Sequence, residues 1–370
     1  MTEEERGWLR LHLTRGLGRA GMLRLMQAFG DAASILASEP RAWEQRAGIR
    51  RAVALGMPAA DDPLLLQTGR LLEQLQVRLI PFGDQRYPSL LRHIHDPPAL
   101  LYLRGELQAA EALAVVGSRR ATEAGKSLTM EICAEIAARG ITIVSGLARG
   151  IDTAAHRGAL EGKGQTVAVL GCGIDRIYPP ENARLFQSIV EHGAILSEYA
   201  PGTPPLAGHF PGRNRIISGL SRGVLVVEAA AESGSLITVD FALEQGREVF
   251  ATPGPIFAVN SRGVNRLLKD GARLVTEARD ILNVLWPGAP SSQDRVEQDG
   301  IAASLGKEAL QVYLQLDRQP AHIDEIVRRS GLTPMDVSVI LLHLELRGGI
   351  EQLPGKHFVR CRNSSSKGAH

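Results

Sequence analysis

The sequence predicts an α/β protein: a Rossmann-like, mostly parallel sheet at the centre, a small helical unit before it and a winged helix after it. Three observations lead there. From Val77 onward, apolar strand-like runs alternate with amphipathic helices, the pattern of a parallel sheet covered on both faces. Before Val77 the apolar residues recur only at helical spacing. Past residue 302 the order is helix, helix-turn-helix, then two short apolar strands around Pro354-Gly355.

Residues 1–75 form the first expected domain. Trp8, Leu9, Leu11 and Leu13 lead to Gly16-Leu17-Gly18, and Met22, Leu23, Leu25, Met26 and Phe29 continue at helical spacing to Gly30. A Gly-x-Gly turn between short helices is similar to a helix-hairpin-helix or SAM-like unit, whose turn amides can hold a DNA phosphate; packing on the neighbouring domain is the simpler role. Met57-Pro58 to Pro63 reads as a turn before one more helix, Leu64 to Leu75. The second domain, 76–287, is expected to carry strands at Leu79–Phe82, Ala99–Leu103, Leu113–Gly117, Ile141–Ser145, Thr166–Gly171, Ala194–Ser197, Val224–Glu228 and Val249–Thr252. Its helices are expected at 124–139, 152–161, 182–191, 213–220, 236–245 and 277–285. Residues 288–302 are rich in Pro, Ser, Gly and charge and read as a linker. The winged helix covers 303–362, with Thr333 as the N-cap of its long last helix, and 363–370 reads as a disordered tail.

Composition narrows the function. The chain has 370 residues with 44% hydrophobic and 22% charged residues, an ordinary balance for a globular protein. Its net charge of +2 means that any nucleic-acid affinity must come from a local patch. The first thirty residues hold no apolar core of a signal peptide, and no run reaches eighteen apolar residues, so a cytoplasmic protein without a membrane span is expected. Cys133, Cys172 and Cys361 are too few and too scattered for a disulfide framework or a cysteine-based zinc site.

In a doubly wound sheet, ligands sit beyond the carboxyl ends of the strands. Those ends carry Gly117-Ser118-Arg119-Arg120, Ser145-Gly146-Leu147-Ala148-Arg149-Gly150, Gly171-Cys172-Gly173, Ser197-Glu198-Tyr199 and the run Ala229 to Ser235. The loop Phe210-Pro211-Gly212-Arg213-Asn214-Arg215 is expected at the same edge. Aromatics make up only 4% of the chain, so a Phe in a Gly- and Pro-rich loop calls for a reason. Alone, that loop also reads as a ring plugging the core beside solvated arginines. Set among Arg119, Arg149, Ser233, Gly234 and Ser235, it reads as a pocket for a strand of nucleic acid: Phe210 on a base, Arg213 and Arg119 on phosphates, Asn214 and Arg215 shaping the loop.

Other chemistries fit less well. Gly171-x-Gly173-x-x-Arg176 lacks the third glycine of a dinucleotide fingerprint, and no G-x-x-x-x-G-K-[ST] occurs, so neither a dinucleotide cofactor nor a P-loop is expected. Asp152 and His156 are four apart but lack a third metal ligand, and His156 reads as a core residue. Glu198 and Glu228 end strands and are expected to orient Arg213 or Arg215 or to cap loops. The alternative function is a nucleoside-monophosphate phosphoribohydrolase using the same phosphate cradle. In those Rossmann-like enzymes P-G-G-x-G-T-x-x-E supplies a catalytic glutamate. Here Gly234-Ser235 aligns with the G-T pair and Thr238 stands where that carboxylate would be. No catalytic residue, metal or cofactor is expected.

Several segments in one order carry a resemblance. Val115-Val116-Gly117-Ser118-Arg119, Ser145-Gly146-Leu147-Ala148-Arg149-Gly150-Ile151-Asp152-x-x-Ala155-His156 and Ser197-Glu198-Tyr199 resemble the DNA-processing protein DprA (Smf) family. So do Phe210-Pro211-x-Arg213-Asn214-Arg215-Ile216-Ile217, Val227-Glu228-Ala229 and Ser233-Gly234-Ser235-x-x-Thr238. The resemblance spans about residues 90–285. It implies a cytoplasmic, homodimeric, non-enzymatic protein that binds single-stranded DNA, protects it during natural transformation and loads the recombinase RecA on it. It also implies that the pocket uses Arg119, Phe210, Arg213 and the groups around Ser233-Gly234-Ser235. Some relatives carry a lysine in the loop before the aromatic. Pro201 to His209 holds no Lys or Arg, so His209 or Arg149 is expected to supply that charge. Thr333 to Leu346 holds no Lys or Arg either, so a protein-contact or regulatory role is expected of the winged helix ahead of reading a major groove.

Overall fold

The computed structural model describes residues 1–107, 111–287, 307–316, 321–346 and 350–360. The expected linker at 288–302, Gly348-Gly349, where the last helix was expected to end, and the expected tail at 363–370 lie outside the described residues. The chain divides into two units, Met1–Ala289 and Pro290–His370.

Six helices open the first unit: α1 Glu3–His12, α2 Gly18–Phe29, α3 Ala32–Ala37, α4 Pro40–Ala47, α5 Arg51–Leu55 and α6 Pro63–Gln74. Their starts are chemically marked. Thr2 and Glu5 form a reciprocal capping box on α1. Asp62 caps α6 ahead of Pro63, whose missing N–H costs nothing in a first turn. Gly16 and Gly18, in the α1–α2 turn, both have positive φ. These helices do not close a core by themselves. Trp8, Leu25 and Trp43 belong to the same buried cluster as Tyr102, Leu170 and Ile195 of the sheet.

The sheet has nine strands: β1 Val77–Pro81, β2 Leu100–Gly105, β3 Ala112–Gly117, β4 Thr142–Ser145, β5 Thr166–Leu170, β6 Gly193–Ser197, β7 Gly223–Val227, β8 Glu248–Ala251 and β9 Arg273–Leu274. Their order is β1-β2-β6-β5-β4-β3-β7-β8-β9. Every pairing from β6 to β9 is parallel; β2 runs antiparallel to both its neighbours, β1 and β6. Strands β3 to β5 and β7 are apolar and buried on both faces, as a double cover of helices demands.

Between and after the strands lie α7 Ser89–Arg92, α8 Glu123–Ala137, α9 Ile151–Glu161, α10 Ala183–His192, α11 His209–Gly219, α12 Leu236–Glu244, α13 Arg262–Lys269 and α14 Ala278–Leu285. Val116, Val144 and Val226 face the layer that holds Ile216, Ile217, Val239 and Val264 of α11 to α13. Val115, Ile143 and Val227 face the layer that holds Ile132, Ala155 and Ile281 of α8, α9 and α14. From β3 the chain winds outward through β4, β5 and β6, then crosses back to β7 on the other side of β3. The switch point is therefore the crevice between the ends of β3 and β7.

One local expectation is corrected. Phe210 to Arg215 is not a loop: helix α11 already begins at His209. Proline lacks the N–H that an interior turn needs but is tolerated in a first turn, so Pro211 sits inside the helix without breaking it. The two-residue edge strand β9, α13 and the short helices α3, α5 and α7 have no counterpart in the sequence reading.

The second unit is a winged helix. It has α15 Lys307–Gln315, β10 Ala321–His322, α16 Ile323–Ser330, α17 Pro334–Leu346, β11 Ile350–Leu353 and β12 His357–Arg360. The strands pair antiparallel in the order β10-β12-β11. Gly331 ends α16 in the left-handed region, and the Asp336 amide donates to Thr333 Oγ1 at 3.3 Å at the head of α17. Val312, Ile326, Val337, Leu341, Ile350 and Phe358 make its own core. Among the described residues, no helix is long and apolar enough to cross a membrane.

Candidate nucleic-acid site

The switch-point crevice holds a cavity of about 640 Å³. Its first wall is the turn after β3. Gly117 ends the strand where a Cβ would collide with the Val227 carbonyl. The Ser118 amide donates to the Glu228 carbonyl at 2.7 Å. Glu228 itself adopts a left-handed conformation, φ 51°. Its carboxylate accepts from the Thr122 amide at 3.0 Å and from the Thr122 hydroxyl, and Thr122 in turn caps α8. From the other side, the Ile151 amide donates to the Ser118 carbonyl at 3.2 Å. Gly150, at φ 77°, leaves room there that a Cβ would fill. The turn is thereby clamped by both neighbours. Arg119 and Arg120, its exposed members, make no side-chain hydrogen bond or ion pair among the described residues.

The second wall is the first turn of α11. Phe210 is half-buried, against the backbone of Gly171, where a Cβ would lie 3.0 Å from the ring. The Arg119 guanidinium carbon lies 5.5 Å from the ring centroid and that of Arg213 lies 5.8 Å away. Tyr178 completes the group, with its ring centroid 5.7 Å from that of Phe210. This is one aromatic face with a free cation over it, the pairing that base stacking and phosphate neutralisation require. The third wall is the turn between β7 and α12. Ser233 and Ser235 share a hydroxyl–hydroxyl bond of 2.7 Å, and Asn214 Nδ2 donates to the Gly234 carbonyl at 3.4 Å.

Of the expected residues, Gly117, Ser118, Arg119, Phe210, Arg213, Asn214, Ser233, Gly234 and Ser235 line this cavity. Three do not. Gly146 lies below it, and its bare Cα is what admits the Arg213 guanidinium. Arg149 is exposed in a separate groove with Lys126 and Arg157, paired with Glu181. Arg215 points away from the cavity. Its Nη2 donates to both Glu198 carboxylate oxygens, at 2.7 and 2.8 Å, and its Nε lies 3.4 Å from Asp96. His209, the other source expected for the missing loop charge, stacks on Tyr199 with ring centroids 4.2 Å apart and does not line the cavity.

Arg213 reaches the cavity but its guanidinium is spoken for. It is only 4% exposed. Its Nη1 donates to the Gly146 carbonyl at 2.7 Å and to the Val169 carbonyl, and its Nε donates to Asn214 Oδ1 at 3.1 Å. Asp152, 4.0 Å away, accepts from the Gly146 and Ala148 amides at 3.2 and 3.3 Å. Burial pulls Arg213 below its usual range and pushes the Asp152 carboxyl above its own; their mutual attraction opposes both shifts. Arg213 thus braces the floor under Phe210. The free positive charge at the mouth belongs to Arg119 and Arg120.

Among the polar lining residues, Arg120, Asp152, Tyr178 and Asn260 had not been assigned to the site from sequence. Arg120 stood beside a residue already chosen. Tyr178 and Asn260 come from turns far away in sequence, and only the winding of the sheet brings them in. Glu198 and Glu228 serve as expected: one holds Arg215, the other caps a loop. Among the described residues, no cluster of three potential metal ligands occurs.

Fold and crevice define a class: Rossmann-like proteins with a cationic, aromatic switch-point cavity, followed by a winged helix. Within it, the family described as DNA recombination-mediator protein A matches residues 78–286, and the DprA winged-helix family matches 296–356. This chain belongs to the DprA (Smf) family. It is 45% identical to Protein Smf of Escherichia coli over 79% of this chain and 80% of that one. It is 34% identical to Protein Smf of Synechocystis over 96% and 99% of the two chains. The solved structure of DprA from Streptococcus pneumoniae aligns with a TM-score of 0.66 at 37% identity, covering 76% of this chain and 98% of that one. DNA processing protein A from Helicobacter pylori, solved to describe its single-stranded DNA binding mode, aligns with a TM-score of 0.53 at 31% identity, covering 58% and 98%.

Proposed function

We propose that this protein binds single-stranded DNA without sequence preference, in the crevice between β3 and β7, and acts as a non-enzymatic mediator of recombination. The observation that carries the reading is Arg119 over Phe210: an unpaired guanidinium and an aromatic face at one mouth. Arginines and amides neutralise the backbone while Phe210 and Tyr178 offer faces to bases. Duplex DNA hides its base faces and binds less well. The Helicobacter relative's single-stranded DNA binding supports the same assignment here. In a titration by fluorescence anisotropy, log affinity for an oligo-dT falls with log salt at about −0.7 per phosphate neutralised. Duplex of equal length binds more weakly at every salt. Equal affinity for both, or no salt dependence, sinks the reading.

The reading extends to protection of incoming strands in natural transformation, loading of RecA and a cytoplasmic homodimer, by family resemblance. The exposed face of α17 carries Met335, Val339, Leu342 and Leu346. A largely apolar outer face whose only charges are the acidic Asp336 and Glu345, with no Lys or Arg from Thr333 to Leu346, favours a protein contact or regulatory role over groove reading.

The competing reading is nucleotide hydrolysis in the same cradle. Thr238 lines the cavity and is buried; a threonine cannot carry the charge of an oxocarbenium-like transition state. Incubation with AMP or GMP therefore releases no free base by chromatography. Release above the uncatalysed rate would replace binding by catalysis as the function.

A further inference from the structure

The turn between β8 and α13 presents a second ring. Phe257 is 89% exposed, more than any other large hydrophobic side chain among the described residues, and Ile256 beside it is 74% exposed. Transfer of such side chains out of water is favourable by itself, so an aromatic held out on a loop needs a partner. The loop is not slack. Asn265 brackets Gly254, with Oδ1 accepting from its amide at 3.2 Å and Nδ2 donating to its carbonyl at 2.9 Å. The Ala258 amide donates to the Pro255 carbonyl at 3.0 Å, and Pro253 and Pro255 restrict the backbone on either side.

The loop is also joined to the cavity already described. Asn260, three residues on, lines that cavity and donates its Nδ2 to the Arg120 carbonyl at 2.9 Å. The turn carrying Phe257 is thus hydrogen-bonded to the turn carrying Arg119 and Arg120. The two exposed guanidiniums of that turn, which make no ion pair among the described residues, belong to the segment that links the Phe210 mouth to this second loop. Two aromatics on turns joined by a segment that carries two exposed cations supply the elements of a single-strand track, in which bases stack and phosphates are neutralised.

We propose that Phe257 is an outer stacking platform: it receives an unpaired base of the same strand, flanking the nucleotides held at Phe210, with Arg120 on the intervening backbone. The proposal rests on the single-strand reading of the cavity. A stiff, pre-set ring loses little freedom on binding, so its contribution is felt only by strands long enough to reach it.

The test is anisotropy with a labelled oligo-dT series of about 4 to 20 nucleotides, using full-length protein. Phe257→Ala is expected to weaken the long oligomers by about 5-fold or more and leave the shortest unchanged. Phe210→Ala weakens all of them. Phe257→Trp restores long-strand affinity, and its added indole emission is quenched by long oligomers only. If Phe257→Ala matches the wild type at every length while Phe210→Ala remains weak, the outer platform is overturned and the cavity reading stands; the loop then serves a protein partner. Equal weakening at every length also overturns it. Absence of oligo-dT binding by the wild type overturns both.

Discussion

Alanine at both Arg119 and Phe210 is expected to reduce affinity for an oligo-dT by about 30- to 1000-fold at moderate salt. Stacking on one aromatic is worth about 1–3 kcal/mol, and one lost phosphate contact adds roughly another 1 kcal/mol, with each 1.4 kcal/mol a factor of ten. The single variant Arg119→Ala lowers the salt slope by about 0.7; Phe210→Ala leaves the slope alone. Because the guanidinium lies 5.5 Å from the ring centroid, the two effects couple, and a double-mutant cycle in affinity yields a non-zero interaction energy. Arg119 is exposed and Phe210 only half-buried, so thermal unfolding serves as the control and moves little. Unchanged binding in the double variant would remove the site. Arg213 is the wrong partner for this experiment, since its loss withdraws a brace from three backbone and side-chain acceptors and confounds binding with folding.

The second large effect falls on stability. Glu198→Ala strips Arg215, whose side chain is 5% exposed, of its two carboxylate hydrogen bonds. Asp96, at 3.4 Å and more exposed, remains as a weaker neighbour and is shared with Arg19, whose Nε donates to it at 2.7 Å. Removing one partner of a buried pair costs about 3–5 kcal/mol because the survivor is left desolvated. At roughly 2–4 °C per kcal/mol for domains of this order, the melting temperature drops by at least about 6 °C. Replacing both members together, Glu198→Leu with Arg215→Met, costs less than the single change. A single variant that melts within about 1 °C of the wild type would show the pair to be dispensable.

The parallel sheet was legible because its strands are continuous apolar runs, such as Leu113–Val116 and Val224–Val227, which few other environments accept. The edge of the site followed from the rule on strand ends. What remained hidden was which arginine faces what. Arg119, Arg149, Arg213 and Arg215 have the same chemistry and similar glycine-rich settings, yet of these four only Arg119 lines the cavity with no hydrogen-bond or ion-pair partner among the described residues. The others meet Glu181, the Gly146 and Val169 carbonyls, and Glu198. Except for Glu198 and Arg215, these partners lie more than thirty residues apart, and no local pattern encodes them. Phe210 was misread as a loop residue for the opposite reason: Pro211 and Gly212 are local breakers that a first helical turn tolerates. Tyr178 and Asn260 enter the site through turns whose sequences carry no signal beyond being turns.

The clamp at Glu228 has a kinetic meaning. Its carbonyl fixes the Ser118 amide and its carboxylate fixes Thr122, so the turns after β3 and β7 behave as one body. On the proposed function, a strand arriving at this crevice meets finished walls, and the ordering cost of association is expected to fall on the flexible nucleic acid alone. Homopolymers that stack poorly with themselves, such as oligo-dT, then have the least internal structure to surrender and dock fastest. Self-stacked oligo-dA must first unstack. On the proposed function, any difference in affinity among strands is expected to follow how readily each unstacks, with no contact that reads a base.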